Sequence, residues 1–159
     1  MMQKKVQIIS DGSLDLSQEL TKEKDIEVVP FYVSFDSETY QKEMVEVGVR
    51  EFYQEMVDHP TVFPKTSMPS VHDYYEVFEK HAKEKMPVIC ICITRKFSGS
   101  LQSATTAKDM ILEEYPDAQI TVIDSTVNTV LQGLYVLEAC RLRDMGLEYQ
   151  QIVDALLPI

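Results

Sequence analysis

A chain of 159 residues is long enough for one domain that buries about 70% of its unfolded surface, and 45% apolar with 26% charged residues is an ordinary globular balance. Fifteen Lys plus Arg against 26 Asp plus Glu leave a net charge of −11. A field of that sign repels phosphate backbones and anionic bilayers, so neither nucleic acid nor membrane insertion is expected.

Met1-Met2-Gln3-Lys4-Lys5 leads straight into a short apolar strand, with no signal peptide visible. No apolar run approaches membrane-spanning length. Val6 to Ser10 reads as a buried strand ending in Asp11-Gly12-Ser13, and a short helix follows from about Asp15 to Lys24. Ile26 to Phe35 is a second strand, placed at an edge or bulge by Pro30, which cannot donate to a ladder. Asp36-Ser37-Glu38 turns into a polar strand from Thr39 to Glu43, a small hairpin off the sheet. Val49, Phe52, Tyr53, Met56 and Val57 have the spacing of a one-faced helix, stopped by His59-Pro60.

Thr61 to Pro69 reads as a loop containing Lys65-Thr66-Ser67-Met68. Ser70 with Asp73 three residues later resembles a capping box for a helix with Val71, Tyr74, Tyr75, Phe78 and Ala82 on one stripe. Val88 to Ile93 is an unbroken apolar run, as in a parallel strand covered on both faces. Ser98-Gly99-Ser100 then opens a helix with Leu101, Ala104, Ala107 and Ile111 on one face. Ile120 to Asp124 is the last strand, and Val127 to Asp144 a long helix with Val130, Leu134, Leu137 and Cys140 inward, ended by Gly146. Tyr149, Ile152, Val153 and Leu156 mark a final helix before Pro158-Ile159, and a chain cut at a domain boundary would end this way. Alternating strands and helices predict an α/β fold, a mostly parallel sheet with helices on both faces and a small β-hairpin excursion.

Four hydroxyl-bearing stretches fall on predicted loops: Asp11-Gly12-Ser13, Thr66-Ser67, Ser98-Gly99-Ser100 and Asp124-Ser125. Three of them directly follow predicted parallel strands, whose carboxyl ends share the edge where open α/β sheets bind ligands. Ser98-Gly99-Ser100 opens a helix, so its N–H groups and positive end suit an anionic head group. Familiar catalytic layouts are missing: the five glycines build neither G-x-G-x-x-G nor a P-loop, and no G-x-S-x-G elbow occurs. Cys90, Cys92 and Cys140 have no C-x-x-C spacing, so small core hydrophobes in a reducing cytoplasm is the simpler reading, and no metal or cofactor is implied. His59, His72 and His81 lie on or beside helices, with His72 a solvent-facing residue that could serve a nearby hydroxyl as base. A set of neutral donors without an obvious base favours holding a ligand over transforming it. Two rivals stay open: a small phosphotransferase or hydrolase using Ser98 or Thr66 as nucleophile, and an interaction scaffold with an empty slot.

Asp11-Gly12-Ser13-Leu14-Asp15-Leu16, Val28-Val29-Pro30-Phe31-Tyr32-Val33, Lys65-Thr66-Ser67-Met68-Pro69-Ser70, Phe97-Ser98-Gly99-Ser100-Leu101-Gln102-Ser103-Ala104 and Val122-Ile123-Asp124-Ser125 occur in the order of the DegV family, which the chain resembles over essentially its whole length. DegV proteins are bacterial fatty-acid-binding proteins, some of them carrier subunits of a fatty acid kinase. The resemblance implies a cytoplasmic, non-catalytic carrier whose partners are a long-chain fatty acid and a fatty acid kinase subunit. It implies one lipid-binding domain over residues 1–159, the family's second domain being absent. Thr66 and Ser98 match the hydroxyls that bond the carboxylate; Ser67, Gly99, Ser13 and Ser125 complete the expected ligand-binding set. Gly12 stands in place of a usual Ser, Ser100 in place of a usual Thr, and Glu43 to Val49 lacks the D-G-x-[DE] pattern.

Overall fold

From the amino end, β1 (Gln7–Asp11) passes through a single 3-10 turn, Gly12–Leu14, into α1 (Gln18–Glu23) and β2 (Ile26–Val29). An excursion follows, made of β3 (Tyr32–Ser34), β4 (Gln41–Lys42), α2 (Val49–Asp58) and β5 (Lys65–Ser67). The chain then alternates regularly: α3 (Val71–Lys83), β6 (Val88–Cys92), α4 (Ser100–Glu114), β7 (Ile120–Asp124), α5 (Thr129–Asp144) and α6 (Tyr149–Leu156). This computed structural model describes residues 3–157; Met1, Met2, Pro158 and Ile159 lie outside the described residues.

The four long strands form one parallel sheet in the order β2-β1-β6-β7, with Ile8 beside both Ile26 and Ile89, and Ile91 beside Ile123. Every residue of β6 is buried, as its unbroken apolar run requires. Alternate side chains feed two cores. Ile8, Ile89, Ile91 and Ile123 pack against Val136 and Cys140 of α5 and Ile152 and Leu156 of α6. Ile9, Val88, Cys90 and Cys92 pack against Tyr74 and Phe78 of α3 and Ala104, Ala107 and Ile111 of α4. The expected α/β class with helices on both faces is therefore the one observed.

Local signals place several boundaries where sequence puts them. Ser70 and Asp73 form a true capping box at the start of α3, Ser70 N donating to the Asp73 carboxylate at 2.8 Å and Asp73 N to Ser70 Oγ at 3.1 Å. Gly146 closes α5 at φ 86, the left-handed region that glycine enters without cost.

Three expectations need correction. The strand expected over 26–35 is broken at Pro30: Ile26–Val29 stays in the parallel sheet, and Tyr32–Ser34 starts a second, antiparallel sheet in the order β4-β3-β5. Lys65-Thr66-Ser67, expected in a loop, is the third strand of that sheet, paired with Tyr32–Ser34; the excursion is three-stranded and not a plain hairpin. The inner face of α5 is also only partly the one expected: Cys140 is buried and Leu137 packs on the core, but the first half of the stripe is turned outward. Val130 and Leu134 are exposed, at 56% and 57%, while Gln132, Gly133, Val136, Ala139, Cys140 and Arg143 point inward.

α2 forms over the residues its spacing predicts, yet none of them is buried. Val49, Tyr53 and Val57 are exposed at 50%, 60% and 72%. A ten-residue helix draws most of its stability from packing, so this apolar stripe is short of a partner.

Candidate functional site

The carboxyl edge of the parallel sheet is organised by Asp11, the last residue of β1, which is wholly buried. Its Oδ1 accepts Gln132 Nε2 at 2.8 Å and Ser13 N at 3.2 Å; its Oδ2 accepts Ile93 N at 2.9 Å and Ser100 Oγ at 2.8 Å. Burial pushes the Asp11 carboxyl above the usual range, against the pull of these four donors. Behind Ser100 the chain continues inward: Tyr74 OH lies 2.5 Å from Ser100 Oγ and 3.7 Å from Cys92 Sγ, with Cys90 Sγ 3.9 Å further on. With Ser100 donating to Asp11, Tyr74 donates to Ser100 and the Cys92 thiol to Tyr74, so every proton points toward the carboxylate. Burial raises the Tyr74 hydroxyl and the Cys90 thiol well above their ordinary values, which keeps both protonated. One side chain thus ties the ends of β1 and β6 to α4 and α5.

The candidate ligand-binding residues surround this hub unevenly. Ser98 is half-buried in the turn that opens α4, its Oγ accepting Ser100 N at 3.1 Å. Gly99 is the N-cap of α4 and lies under Met68: a Cβ there would stand 2.7 Å from Met68 Sδ, so the missing side chain lets the end of β5 close against the turn. Thr66 and Ser67 are exposed on β5, two and one residues before Met68, which carries them to the same edge as Ser98. Ser13 is half-buried and meets the start of α5, whereas Ser125 is buried against its own loop. Ser13 Oγ accepts Thr129 N at 3.4 Å, and the buried Ser125 hydroxyl donates to Val127 O at 3.0 Å. Thr126 (φ 61) in this loop and Thr129 (φ 48), the first residue of α5, both occupy the left-handed region, which is unusual for β-branched residues.

A cavity of about 1000 Å³ lies along the edge strand β2, between α1 and the excursion. Leu14, Leu16, Ile26, Val28, Val33, Val47, Val49, Phe52 and Tyr53 supply its apolar walls, with Gln18, Lys22, Glu27 and Glu43 as polar members. Its volume is at the upper end for small-molecule sites. At one end it reaches Gly12, the residue after Asp11, and so abuts the carboxyl edge. Thr66, Ser67, Ser98, Gly99, Ser13 and Ser125 are not among its walls.

Sequence reasoning did not reach Gln132 or Glu43, and it placed Tyr74 on the apolar stripe of α3 without its hydroxyl partner. A glutamine facing the same way as Val136 on a helix stripe is the one local sign of Gln132. Glu43 lies where the D-G-x-[DE] pattern is lacking, and the turn there holds Met44 at φ 63. No group of His, Cys, Asp and Glu among the described residues could hold a metal ion, and no helix there is long and apolar enough to cross a membrane.

The fold and sequence have known counterparts. A fatty acid (stearic acid)-binding protein of Eubacterium ventriosum superposes with a TM-score of 0.90 at 46% identity, covering 95% of this chain and 52% of that one. A fatty-acid-binding DegV family protein of Thermus thermophilus superposes with a TM-score of 0.79 at 29% identity, covering 96% and 52%. A DegV domain-containing protein of Clostridium acetobutylicum is 33% identical over 153 residues, 96% of this chain and 53% of its own length. The chain therefore spans about half the length of these relatives. The DegV family profile matches residues 5–159. With that match running through β1, the excursion and the carboxyl edge alike, the chain belongs to the DegV family.

Proposed function

We propose that this chain binds a long-chain fatty acid, with the acyl chain in the cavity along β2 and the carboxylate at the carboxyl edge. Thr66 and Ser98 would hold the head group, with Ser67, Gly99, Ser13 and Ser125 forming the rest of the rim. The observation that carries this reading is the apolar cavity of about 1000 Å³ that reaches Gly12, the residue after Asp11 at the carboxyl edge. The name of the Eubacterium ventriosum protein, a stearic acid binder at 46% identity, supports it.

Energetics agree with the division of labour. About fourteen buried methylenes gain on the order of 10 kcal/mol before ordering costs. Each hydroxyl bond to a carboxylate adds about 1.5–3 kcal/mol, offset in part by desolvating the charge. The tail sets affinity and the head group sets orientation.

In this proposal the chain is a non-catalytic carrier that presents its acid to a fatty acid kinase, and residues 1–159 form one domain of that carrier. Buried free thiols at Cys90, Cys92 and Cys140 suit a reducing, cytoplasmic compartment.

Organic extraction of the purified chain followed by mass spectrometry should yield one fatty acid per protein. Ser98→Ala and Thr66→Ala should each weaken binding of a fluorescent fatty acid about tenfold, the loss of one bond to a charged group, with little change in Tm. No extracted lipid and no measurable affinity for the probe would overturn the reading. A phospho- or acyl-serine adduct on the intact protein, lost in Ser98→Ala, would replace it with the nucleophile alternative.

A further inference from the structure

Glu43 stands where the cavity reaches Gly12, next to the carboxyl edge. It follows β4 directly, is half-buried, and lines the cavity together with Gly12. Its Oε1 accepts Phe31 N at 3.3 Å, where the chain passes from β2 to β3. A Cβ on Gly12 would collide with that same oxygen and stand 3.3 Å from Phe31 Cδ2. Gly12 is therefore what admits the Glu43 carboxylate.

Two acids then flank one glycine on unequal terms. Asp11, on the sheet side, is satisfied by four donors. Glu43, on the cavity side, has the single long bond from Phe31 among the described residues. Burial, then the Asp11 charge, raise the Glu43 carboxyl above its usual value, against the pull of the Phe31 N–H. A fatty acid whose tail fills the cavity and whose head group lies at its Gly12 end meets this poorly compensated carboxylate. Two anions meeting in a partly desolvated passage repel, whereas a neutral head group of the same length does not.

We propose that Glu43, seated against Gly12, is a charge-selective residue of the acyl site that weakens the hold on an ionised carboxylic acid relative to a neutral lipid of the same chain length. The proposal rests on the acyl-binding reading above. In a carrier, such a residue keeps the acid releasable.

The test displaces a fluorescent fatty acid from the 159-residue chain at pH 8, using palmitic acid and hexadecanol as competitors. Glu43→Gln keeps the shape and removes the charge, and should tighten palmitate about tenfold while moving hexadecanol by less than about twofold. Gly12→Ala provides an independent arm. Gly12 does not lie in the left-handed region, so the flexible end of Glu43 has to move away and the Phe31 ring has to give by a few tenths of an ångström; the variant should shift the preference in the same direction. Equal gains for acid and alcohol in Glu43→Gln, or no change for palmitate, would overturn the role of Glu43 while leaving lipid binding intact. Failure of the unaltered chain to hold either lipid would instead remove the acyl-binding reading and this inference with it.

Discussion

The two ends of the Gly12 turn are built on opposite terms. On the sheet side, Asp11 is fully enclosed and accepts from four donors drawn from four parts of the fold. On the cavity side, α2 presents Val49 and Tyr53, both exposed, to a space of about 1000 Å³. The first arrangement uses buried polar groups to fix strand ends against helices. The second leaves apolar side chains without protein partners, a state that a soluble domain tolerates where something else covers them. Stability should therefore reside on one side of Gly12 and ligand capacity on the other.

The strongest way to break that comparison is at Asp11. Asp11→Ala leaves Ile93 N and Ser100 Oγ without their acceptor and Gln132 Nε2 with only Ser10 Oγ at 3.1 Å, and should cost about 3–5 kcal/mol. Since a whole domain is stable by only about 5–15 kcal/mol, the urea midpoint should fall steeply or the chain should fail to fold. A loss below about 1 kcal/mol would show that Asp11 organises nothing.

Paired aromatic truncations sharpen the contrast. Phe78, fully buried between α3 and β6, should cost about 3–5 kcal/mol as Phe78→Ala. Phe52, on the cavity wall and only half-buried, should cost less than about 1 kcal/mol as Phe52→Ala. Lipid affinity should rank these two the other way, with Phe52→Ala the more damaging in a fluorescent fatty acid titration. Equal stability losses would mean that α2 is already a packed element and not a wall waiting for a ligand.

Sequence was most informative where the cause was local. The six-residue run ending at Ile93, the Ser70–Asp73 box and Gly146 each carry their reason within a few residues, and each behaves as expected. It was least informative where a distant group dictates the choice. α5 turns Gln132 inward because Asp11 needs a donor, and Gly133 inward because a Cβ there would collide with the Leu14 carbonyl oxygen. An apolar stripe drawn through Val130 and Leu134 cannot anticipate either demand. β5 is three polar residues whose only reason to be extended is the facing β3. Ser98 and Thr66 stand out in the sequence as hydroxyls of predicted loops and motifs, and their hold on a head group belongs to the proposal, whereas Glu43 was hidden because its setting depends on the space that Gly12 vacates.

The smallest effect probes the far end of the cavity, where Glu27 is held by α3. Its carboxylate accepts His81 Nε2 at 2.7 Å and Lys80 Nζ at 2.6 Å. Burial opposes ionisation there, yet these two partners bring the Glu27 carboxyl below its usual value of 4.5. A carboxyl depressed in the folded state adds stability above its unfolded pKa and loses that contribution as pH falls toward the folded value. The pair is partly exposed, so the contribution should be about 1 kcal/mol or less. Comparison of the native chain with Glu27→Gln isolates it, because the other carboxylates titrate alike in both. The gap in thermal stability should be widest near neutral pH and close as the pH drops below about 4.5. A gap that stays constant across that range would mean that α3 is joined to β2 by shape and hydrogen bonding alone, and that the cavity's far wall, like the Asp11 end, does not depend on the Glu27 charge.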